Sequence, residues 1–235
     1  MAIEFILSIL AAYLLGSVPA AYLVTKWFRG VDIREHGTGK VGTANVLSTA
    51  SKRLAIPVAI FDTGKGALTV WGAQLLGLGI VEQVSVGIAT IIGHNWPVFL
   101  RFVGGRGILT SLGVLLILSP KLGLIVLVMA LLFTPFRQLA LGVFIALVSV
   151  PILSWFLSQP LGIDEQLPIT LGYLAIISIA VFRRLVAPRT SLTASVSPGQ
   201  LWLNRLLFDR DIRDREAWIH RAPLEVSQKQ KQGKG

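Results

Sequence analysis

The chain has 235 residues, of which 53% are hydrophobic and 14% are charged, and its mean hydropathy is +0.70. A soluble domain of this length needs far fewer apolar residues for its core, so the composition indicates a membrane protein. The net charge is +10, but the basic residues lie between apolar stretches, which favours positive-inside topology over nucleic-acid binding. The sequence has no cysteine and three scattered histidines, so it predicts neither disulfides nor a metal cluster.

Apolar stretches predict the membrane-spanning helices, because about twenty such residues cross a typical hydrocarbon core. Glu4 stands where a secretory signal would carry a basic residue, so the first stretch is interpreted as a retained span. The predicted spans are residues 5–26, 54–80, 83–92, 108–119, 122–135, 139–157 and 169–182. The sequence therefore predicts an all-α polytopic membrane protein with about seven transmembrane helices, several of them short. Merging the short pairs around Pro120 and Arg137 would give five spans instead.

Basic residues divide unequally between the two sides of a seven-span protein. The basic side would hold Lys26, Arg29, Arg34, Lys40, Lys52, Arg53, Arg101, Arg106, Arg137, Arg183 and Arg184. The other side would hold Lys121 and the acidic pair Asp164 and Glu165. The positive-inside rule then predicts that the N-terminus is outside and the C-terminus is cytoplasmic.

A change in composition near residue 189 predicts two regions. Residues 1–188 would form the transmembrane domain, and residues 189–235 would form a basic cytoplasmic tail. Apolar residues in this tail indicate a short amphipathic helix on the membrane surface. They are Leu201, Leu203, Leu206, Leu207 and Phe208. The polar residues at the C-terminus predict a disordered end.

A glycine-rich segment at residues 37–45 contains the pattern G-x-G-x-x-G. A dinucleotide site would require this pattern within a βαβ unit, whereas here a membrane span precedes it. Glycines still allow backbone N–H groups to converge on an anion, and polar side chains add donors. The predicted phosphate-binding residues are Thr38, Gly39, Lys40, Gly42, Thr43, Asn45 and, shortly after them, Ser48. The alternative is a flexible cytoplasmic linker.

An acid and a base, Asp62 and Lys65, lie one helical turn apart within the second predicted span. Charged residues inside a membrane are costly unless they pair or line a polar cavity. They form either a structural ion pair or a site at which Asp62 holds Lys65 toward an anionic substrate. His94 ends the third apolar stretch and is either a general base or an interfacial hydrogen-bonding residue.

A second glycine-rich segment surrounds one arginine, as Gly104-Gly105-Arg106-Gly107. A planar guanidinium among backbone N–H groups suits a phosphate. The simplest joint hypothesis is that both glycine-rich segments and the Asp62–Lys65 pair converge on one phosphate-bearing ligand.

The order of these motifs resembles the bacterial acyl-phosphate-dependent glycerol-3-phosphate acyltransferases. Gly16-Ser17-Val18-Pro19 is similar to the family's G-S-x-P, and residues 32–39 are similar to D-I-R-x-x-G-S-G. Asp62, Lys65 and Gly66 match D-x-x-K-G. Residues 93–100 match G-H-x-x-P-V-F-L, and residues 104–107 are similar to G-G-K-G.

The resemblance implies a seven-span enzyme of the bacterial inner membrane with its active site at the cytoplasmic face. The enzyme would transfer a fatty acyl group from acyl phosphate to the 1-hydroxyl of glycerol 3-phosphate, giving lysophosphatidic acid and phosphate. Asp62, Lys65, His94 and Arg106 would be catalytic, and no cofactor or metal is expected. Partners would be these two substrates and membrane lipids. The alternatives are a non-catalytic lipid-binding or transporter-like paralogue and acyl transfer to another phosphorylated acceptor.

Several positions depart from the family pattern. Lys40 replaces an asparagine, Thr43-Ala44 inverts the order A-T, and Ser48 replaces an arginine. Arg106 replaces the lysine of G-G-K-G, and these two cations bind phosphate differently. The family's last motif is matched only loosely, with Asn204 as its candidate residue.

Overall fold

A computed structural model describes residues 2–188 and 190–220, and in these ranges the chain is helical and contains no strand. The α-helices are α1 (Ala2–Ser17), α2 (Ala20–Arg29), α3 (Thr43–Thr49), α4 (Lys52–Leu75), α5 (Ile80–Asn95), α6 (Ile108–Leu118), α7 (Pro120–Leu131), α8 (Leu139–Phe156), α9 (Ser158–Leu161), α10 (Gln166–Leu185), α11 (Pro198–Phe208) and α12 (Arg215–Ile219). Short 3-10 turns occupy Val98–Leu100 and Ser191–Ser195.

Three segments within the described ranges are long and apolar enough to cross a membrane: α1 together with α2, then α8, then α10. Helices α6 and α7 are apolar but shorter. Large apolar side chains on these helices, among them Ile6, Leu10, Ile152 and Leu171, point away from the protein. A soluble protein would bury such surfaces, so they are suited to contact lipid. The predicted all-α membrane architecture is confirmed at this level.

The first predicted span is broken in the structure. Helix α1 ends at Ser17 and α2 begins at Ala20, so Val18 and Pro19 lie outside both helices. Pro19 lacks a backbone N–H and disfavours a helical conformation at Val18. The break frees the carbonyl of Gly16, which accepts a hydrogen bond from the Lys65 ammonium at 3.0 Å. The G-S-x-P motif thus turns backbone polar groups toward α4.

Glycines bring two helix pairs into close backbone contact, α1 with α5 and α4 with α6. At each contact a Cβ atom on the glycine would collide with backbone atoms of the facing helix. The pairs are Gly16 with Thr90, Gly93 with Tyr13, Gly66 with Thr110, and Gly113 with Thr63. Small residues permit such approach in membrane proteins, where close packing replaces the hydrophobic effect between helices. These contacts fix α1, α4, α5 and α6 around the charged residues described below.

The segment after α10 folds back onto the ends of α8 and α10. Arg205 on α11 is buried and bonds the Asp211 carboxylate at 2.7 Å. It also donates to the carbonyls of Leu185 at 2.9 Å and Ala187 at 2.7 Å, which follow or end α10. The predicted short helix exists as α11, with Trp202 exposed. The predicted disordered end, residues 221–235, lies outside the described residues.

Candidate active site

Asp62, Lys65 and His94 form one group of contacting side chains, which we call the buried cluster. The Lys65 ammonium lies 2.9 Å from Asp62 Oδ1 and 2.8 Å from His94 Nδ1. His94 Nδ1 is 3.5 Å from the same carboxylate oxygen. The exposed fractions of these side chains are 4% for Asp62, 1% for Lys65 and 9% for His94. The structure therefore brings together a predicted pair on α4 and a predicted histidine on α5.

The protein itself uses the full donor capacity of Lys65. An ammonium has three N–H donors, and Lys65 has acceptors in Gly16 O at 3.0 Å, Asp62 Oδ1 and His94 Nδ1. Because an ammonium cannot accept, His94 Nδ1 must accept, and the neutral ring carries its proton on Nε2. The buried cluster thus joins α1, α4 and α5 and presents the His94 Nε2 N–H to its surroundings.

A small cavity adjoins the buried cluster. Asp62 and His94 line it together with the α1–α2 break, Val41 and Pro97. Its volume of about 10 Å³ is about that of one water-sized probe. A phosphorylated substrate does not fit there in this conformation of the neighbouring loops.

Asn45 organises the first glycine-rich segment. Its amide nitrogen donates to the carbonyls of Ile33 at 2.9 Å, His36 at 3.0 Å and Lys40 at 3.0 Å, and its oxygen accepts from the Thr38 N–H at 2.8 Å. The side chain is 1% exposed. These bonds curl the loop around Asn45, so the amide uses both its nitrogen and its oxygen to hold the loop together.

The other predicted residues of this segment lie on or beside the loop. Gly39 adopts a φ of +70°, which favours glycine. Gly42 is the N-cap of α3. The Thr43 hydroxyl is buried without a partner among the described residues. Ser48 donates from its hydroxyl to the Asn45 carbonyl at 3.0 Å.

The second glycine-rich segment packs directly on the buried cluster. A Cβ on Gly105 would collide with His94 Nε2, and one on Gly104 would collide with the His94 carbonyl. Gly107 has a φ of +70° and is the N-cap of α6. Arg183 at the end of α10 donates to the carbonyls of Gly104 at 3.2 Å and Gly105 at 3.0 Å. The loop that carries Arg106 is therefore held against His94 from two sides.

Lys40 and Arg106, from the two glycine-rich segments, meet at the carboxylate of Asp209, and we call these three residues the loop cluster. The Lys40 ammonium is 2.6 Å from Asp209 Oδ2. Arg106 donates to Asp209 Oδ1 from Nε at 3.0 Å and from Nη2 at 2.9 Å. Arg106 also donates to the carbonyl of Arg183. The side chains are 12–20% exposed, so the cluster is close to solvent.

The charges of the loop cluster shift one another's titration. Burial and, to a smaller extent, the nearby Arg106 lower the pKa of Lys40 to about 7, although Asp209 opposes both effects. Burial alone would raise the pKa of Asp209, but Arg106 and Lys40 together hold it well below its usual range. Asp209 therefore stays ionised at neutral pH, and its negative charge favours the protonated form of Lys40.

Sequence reasoning missed three residues of this region. Asp209 was visible only as part of a mixed-charge run, and Arg183 only as a basic residue after a span. Asn95 is fully buried, and both polar atoms of its amide lack partners among the described residues. Its place next to His94 in the motif was the one available signal. Asn204, the candidate of the last motif, donates to the Asp211 carbonyl at 3.0 Å and stabilises the returning segment.

The fold and the two clusters define a helical membrane protein in which glycine-rich loops cover a buried acid–amine–imidazole group. A family profile described as glycerol-3-phosphate acyltransferase matches residues 6–189 of the chain. The chain belongs to this glycerol-3-phosphate acyltransferase family.

Two Dehalococcoides mccartyi proteins named glycerol-3-phosphate acyltransferase 5 and 4 are 47% and 46% identical to the chain. The first alignment covers 97% of this chain and 98% of that relative, and the second covers 92% and 94%. The chain is also similar to crystal structures of PlsY, an integral membrane glycerol 3-phosphate acyltransferase, in its glycerol 3-phosphate and lysophosphatidic acid forms. The TM-scores are 0.69 and 0.68 at 29% and 28% identity, over 77% of this chain and 88% of those chains.

Proposed function

We propose that the protein transfers a fatty acyl group from acyl phosphate to the 1-hydroxyl of glycerol 3-phosphate, releasing lysophosphatidic acid and phosphate. The observation that carries the proposal is the contact between Gly105 and His94, which joins the loop bearing Arg106 to the buried cluster. Relatives named for this acyl transfer and solved neighbours with glycerol 3-phosphate and lysophosphatidic acid support the acceptor and the product. The acyl phosphate donor follows from the resemblance of the motifs.

The proposed site residues act mainly by binding and positioning. Lys40, Arg106 and the backbone N–H groups of the glycine-rich segments would bind substrate phosphate. The acceptor's 1-hydroxyl oxygen would attack the acyl carbonyl carbon, the bond from that carbon to the phosphate oxygen would break, and the hydroxyl proton would pass to the leaving phosphate. Acyl phosphate is already activated, so the reaction needs no nucleophile from the protein.

His94 would contribute as a hydrogen-bond donor. With Nδ1 accepting from Lys65, its Nε2 N–H is suited to stabilise negative charge that develops on the acyl carbonyl oxygen or the leaving phosphate. As a general base, His94 would have to take the other tautomer and donate from Nδ1 to Asp62. The contacts of Lys65 in this structure favour the donor role.

We further propose seven spans, an outside N-terminus and an active site that faces the cytoplasm of a bacterial inner membrane. The unequal distribution of lysine and arginine supports this orientation. Helix α4 has 24 residues, about 36 Å at 1.5 Å per residue, which is long enough to cross a bilayer despite its charged residues. Residues 1–188 would form the membrane domain and residues 189–235 the cytoplasmic tail.

Purified protein in detergent, supplied with palmitoyl phosphate and glycerol 3-phosphate, tests the function directly. Release of phosphate together with lysophosphatidic acid is the expected result. A folded protein without turnover would support the non-catalytic, lipid-binding alternative. Product formed only with a different phosphorylated polyol would identify another acceptor.

A further inference from the structure

Two of the family departures contact the same carboxylate. Lys40, in place of an asparagine, and Arg106, in place of a lysine, both form ion pairs with Asp209. Asp209 lies 169 residues after Lys40 and beyond residues 6–189, to which the family profile matches. The segment that follows α10 therefore brings a charged group to a site built by the family region.

The backbone at Asp209 is in a conformation that favours glycine. Its φ is +55° and it caps α11, where its N–H donates to the Arg205 carbonyl at 3.1 Å. Helices commonly end on a glycine in this left-handed conformation, and other residues pay a steric cost there, although aspartate tolerates it better than most. The contacts of the Asp209 side chain with Lys40 and Arg106 offset that cost.

The Arg205–Asp211 pair and the segment around it fix the position of Asp209. The Asp211 carboxylate also accepts from Thr193 at 2.7 Å and from Thr190 at 3.1 Å. Asp211 is 1% exposed. Asp209 thus stands on an ordered support, so its carboxylate approaches Lys40 and Arg106 from a fixed direction.

Lys40 and Arg106 would repel each other without an anion between them. Asp209 binds Lys40 through one carboxylate oxygen and Arg106 through the other, and so keeps the charged ends of both side chains in place. Lys40 also donates to the backbone carbonyl of Asp209 at 2.7 Å. The charged groups that face Lys40 are Asp209, Arg106 and Arg184, so Asp209 is its counter-anion and favours its protonated form.

The carboxylate leaves donors unused on both cations. Lys40 has three N–H donors and gives two to Asp209, while Arg106 has five and gives two to Asp209 and one to the Arg183 carbonyl. One N–H of Lys40 and two of Arg106 thus lack a partner among the described residues. Three N–H groups on two adjacent cations suit the oxygens of a phosphate monoester.

We propose that Asp209 is a positioning residue of the active site, which holds Lys40 and Arg106 together as one binding site for a substrate phosphate. This inference rests on the proposed function and adds the segment after α10, which carries Asp209, to the site. Asp209 itself would not touch the reacting atoms. The competing explanation is that the carboxylate occupies the place of the substrate phosphate and inhibits the enzyme.

Asp209→Asn tests the proposal, because asparagine keeps the size of the side chain and tolerates the left-handed backbone. We expect the KM for glycerol 3-phosphate at pH 7.5 to rise about tenfold, the size expected for losing charge-assisted bonds, while kcat changes less. The defect should shrink as the pH is lowered, because Lys40 then regains the proton that Asp209 favours. Glu216→Gln, an exposed carboxylate of the same segment, is the matched control and should leave KM unchanged.

Lys40→Asn combined with Asp209→Asn adds a sharper test. If Asp209 acts through Lys40, removing Lys40 after Asp209 has been changed should cost little more, so the KM of the double variant should stay close to that of Asp209→Asn. A lower KM in Asp209→Asn would identify Asp209 as an inhibitor and overturn the proposal. A loss of thermal stability with unchanged KM, or an equal defect in Glu216→Gln, would also overturn it.

Binding of inorganic phosphate separates this proposal from the proposed function. If the wild type forms no product, the acyl transfer fails, yet phosphate should still raise the melting temperature of the wild type more than that of Asp209→Asn. Equal stabilisation of both proteins by phosphate would contradict the role of Asp209.

Discussion

The buried cluster and the loop cluster each contain a carboxylate and at least one cation, but they differ in what the protein leaves unused. In the buried cluster, Lys65 has acceptors from α1, α4 and α5 for all its N–H groups. In the loop cluster, Lys40 and Arg106 share one carboxylate near solvent and keep N–H donors that have no partner in the part of the chain that the structure describes. The first arrangement is suited to holding helices and orienting His94, and the second is suited to binding an anion.

This difference separates two roles of charged residues, structural and ligand-binding, which the sequence alone does not distinguish. A charge inside a membrane protein is stable when protein groups surround it, so its loss damages the fold first. A cation at the edge of the protein with free donors costs little without ligand, and its loss damages binding first. Substitutions in the buried cluster should therefore lower stability first, and substitutions in the loop cluster should weaken binding first.

Arg106→Ala should cause the largest loss of activity. We expect kcat/KM to fall by about 10²–10³, because the variant loses the guanidinium that forms charge-assisted hydrogen bonds to the substrate phosphate. Its melting temperature should stay close to that of the wild type. Arg101→Ala, which removes an exposed arginine of the same loop, is the control and should keep nearly full activity. Wild-type kinetics in Arg106→Ala would remove this residue from the site.

Lys65→Met should reduce stability more than any change in the loop cluster. It leaves the Asp62 carboxylate buried without its main partner, which costs about 3–5 kcal/mol. Denaturation in detergent should show this loss, and activity should fall further than the folded fraction, because His94 loses the Lys65 contact that fixes its tautomer. Asp62→Asn combined with Lys65→Met should recover part of the stability. An unchanged melting temperature in Lys65→Met would contradict the structural role of the buried cluster.

Asn45→Ala should produce an intermediate effect. The substitution removes the bonds that curl the first glycine-rich segment, so we expect a loss of about 1–3 kcal/mol and a higher KM for glycerol 3-phosphate. Thr49→Val, which removes only a hydroxyl that donates to the Asn45 carbonyl at 2.7 Å, should be nearly neutral. If Asn45→Ala altered KM without any loss of stability, the amide would contact the ligand directly.

Ser48→Arg should have the smallest effect, and the direction in which it changes the KM for glycerol 3-phosphate is informative. It restores the family's arginine beside the phosphate-binding loop and should lower the KM for glycerol 3-phosphate by about twofold to fivefold, the size of a partly exposed ion pair. Kinetics across glycerol 3-phosphate concentrations measure this change. An increased KM would mean that Lys40 holds the phosphate in a geometry that excludes a second cation.

The sequence predicted the features that depend on local pattern. Apolar stretches located the long helices, and glycine spacing located both loops and the residues predicted to bind an anion. The pattern did not show that every N–H donor of Lys65 has an acceptor within the protein, because two of the acceptors lie at the end of α1 and on α5. It also missed Asp209, since ion pairing across 169 residues depends on how the segment after α10 folds back. The sequence predicted that Asn45 binds phosphate. An asparagine that organises a glycine-rich loop and one that binds phosphate can stand at the same distance from the glycines, so the pattern does not separate the two.

Binding of glycerol 3-phosphate in the absence of an acyl donor tests the contrast between the clusters most directly. His94→Gln and Arg106→Ala would be compared with the wild type by calorimetry on purified, folded protein. The two roles predict that His94→Gln binds glycerol 3-phosphate nearly as well as the wild type but does not turn over, whereas Arg106→Ala loses measurable binding. Loss of binding in His94→Gln with retained binding in Arg106→Ala would contradict the assignment of phosphate binding to the loop cluster.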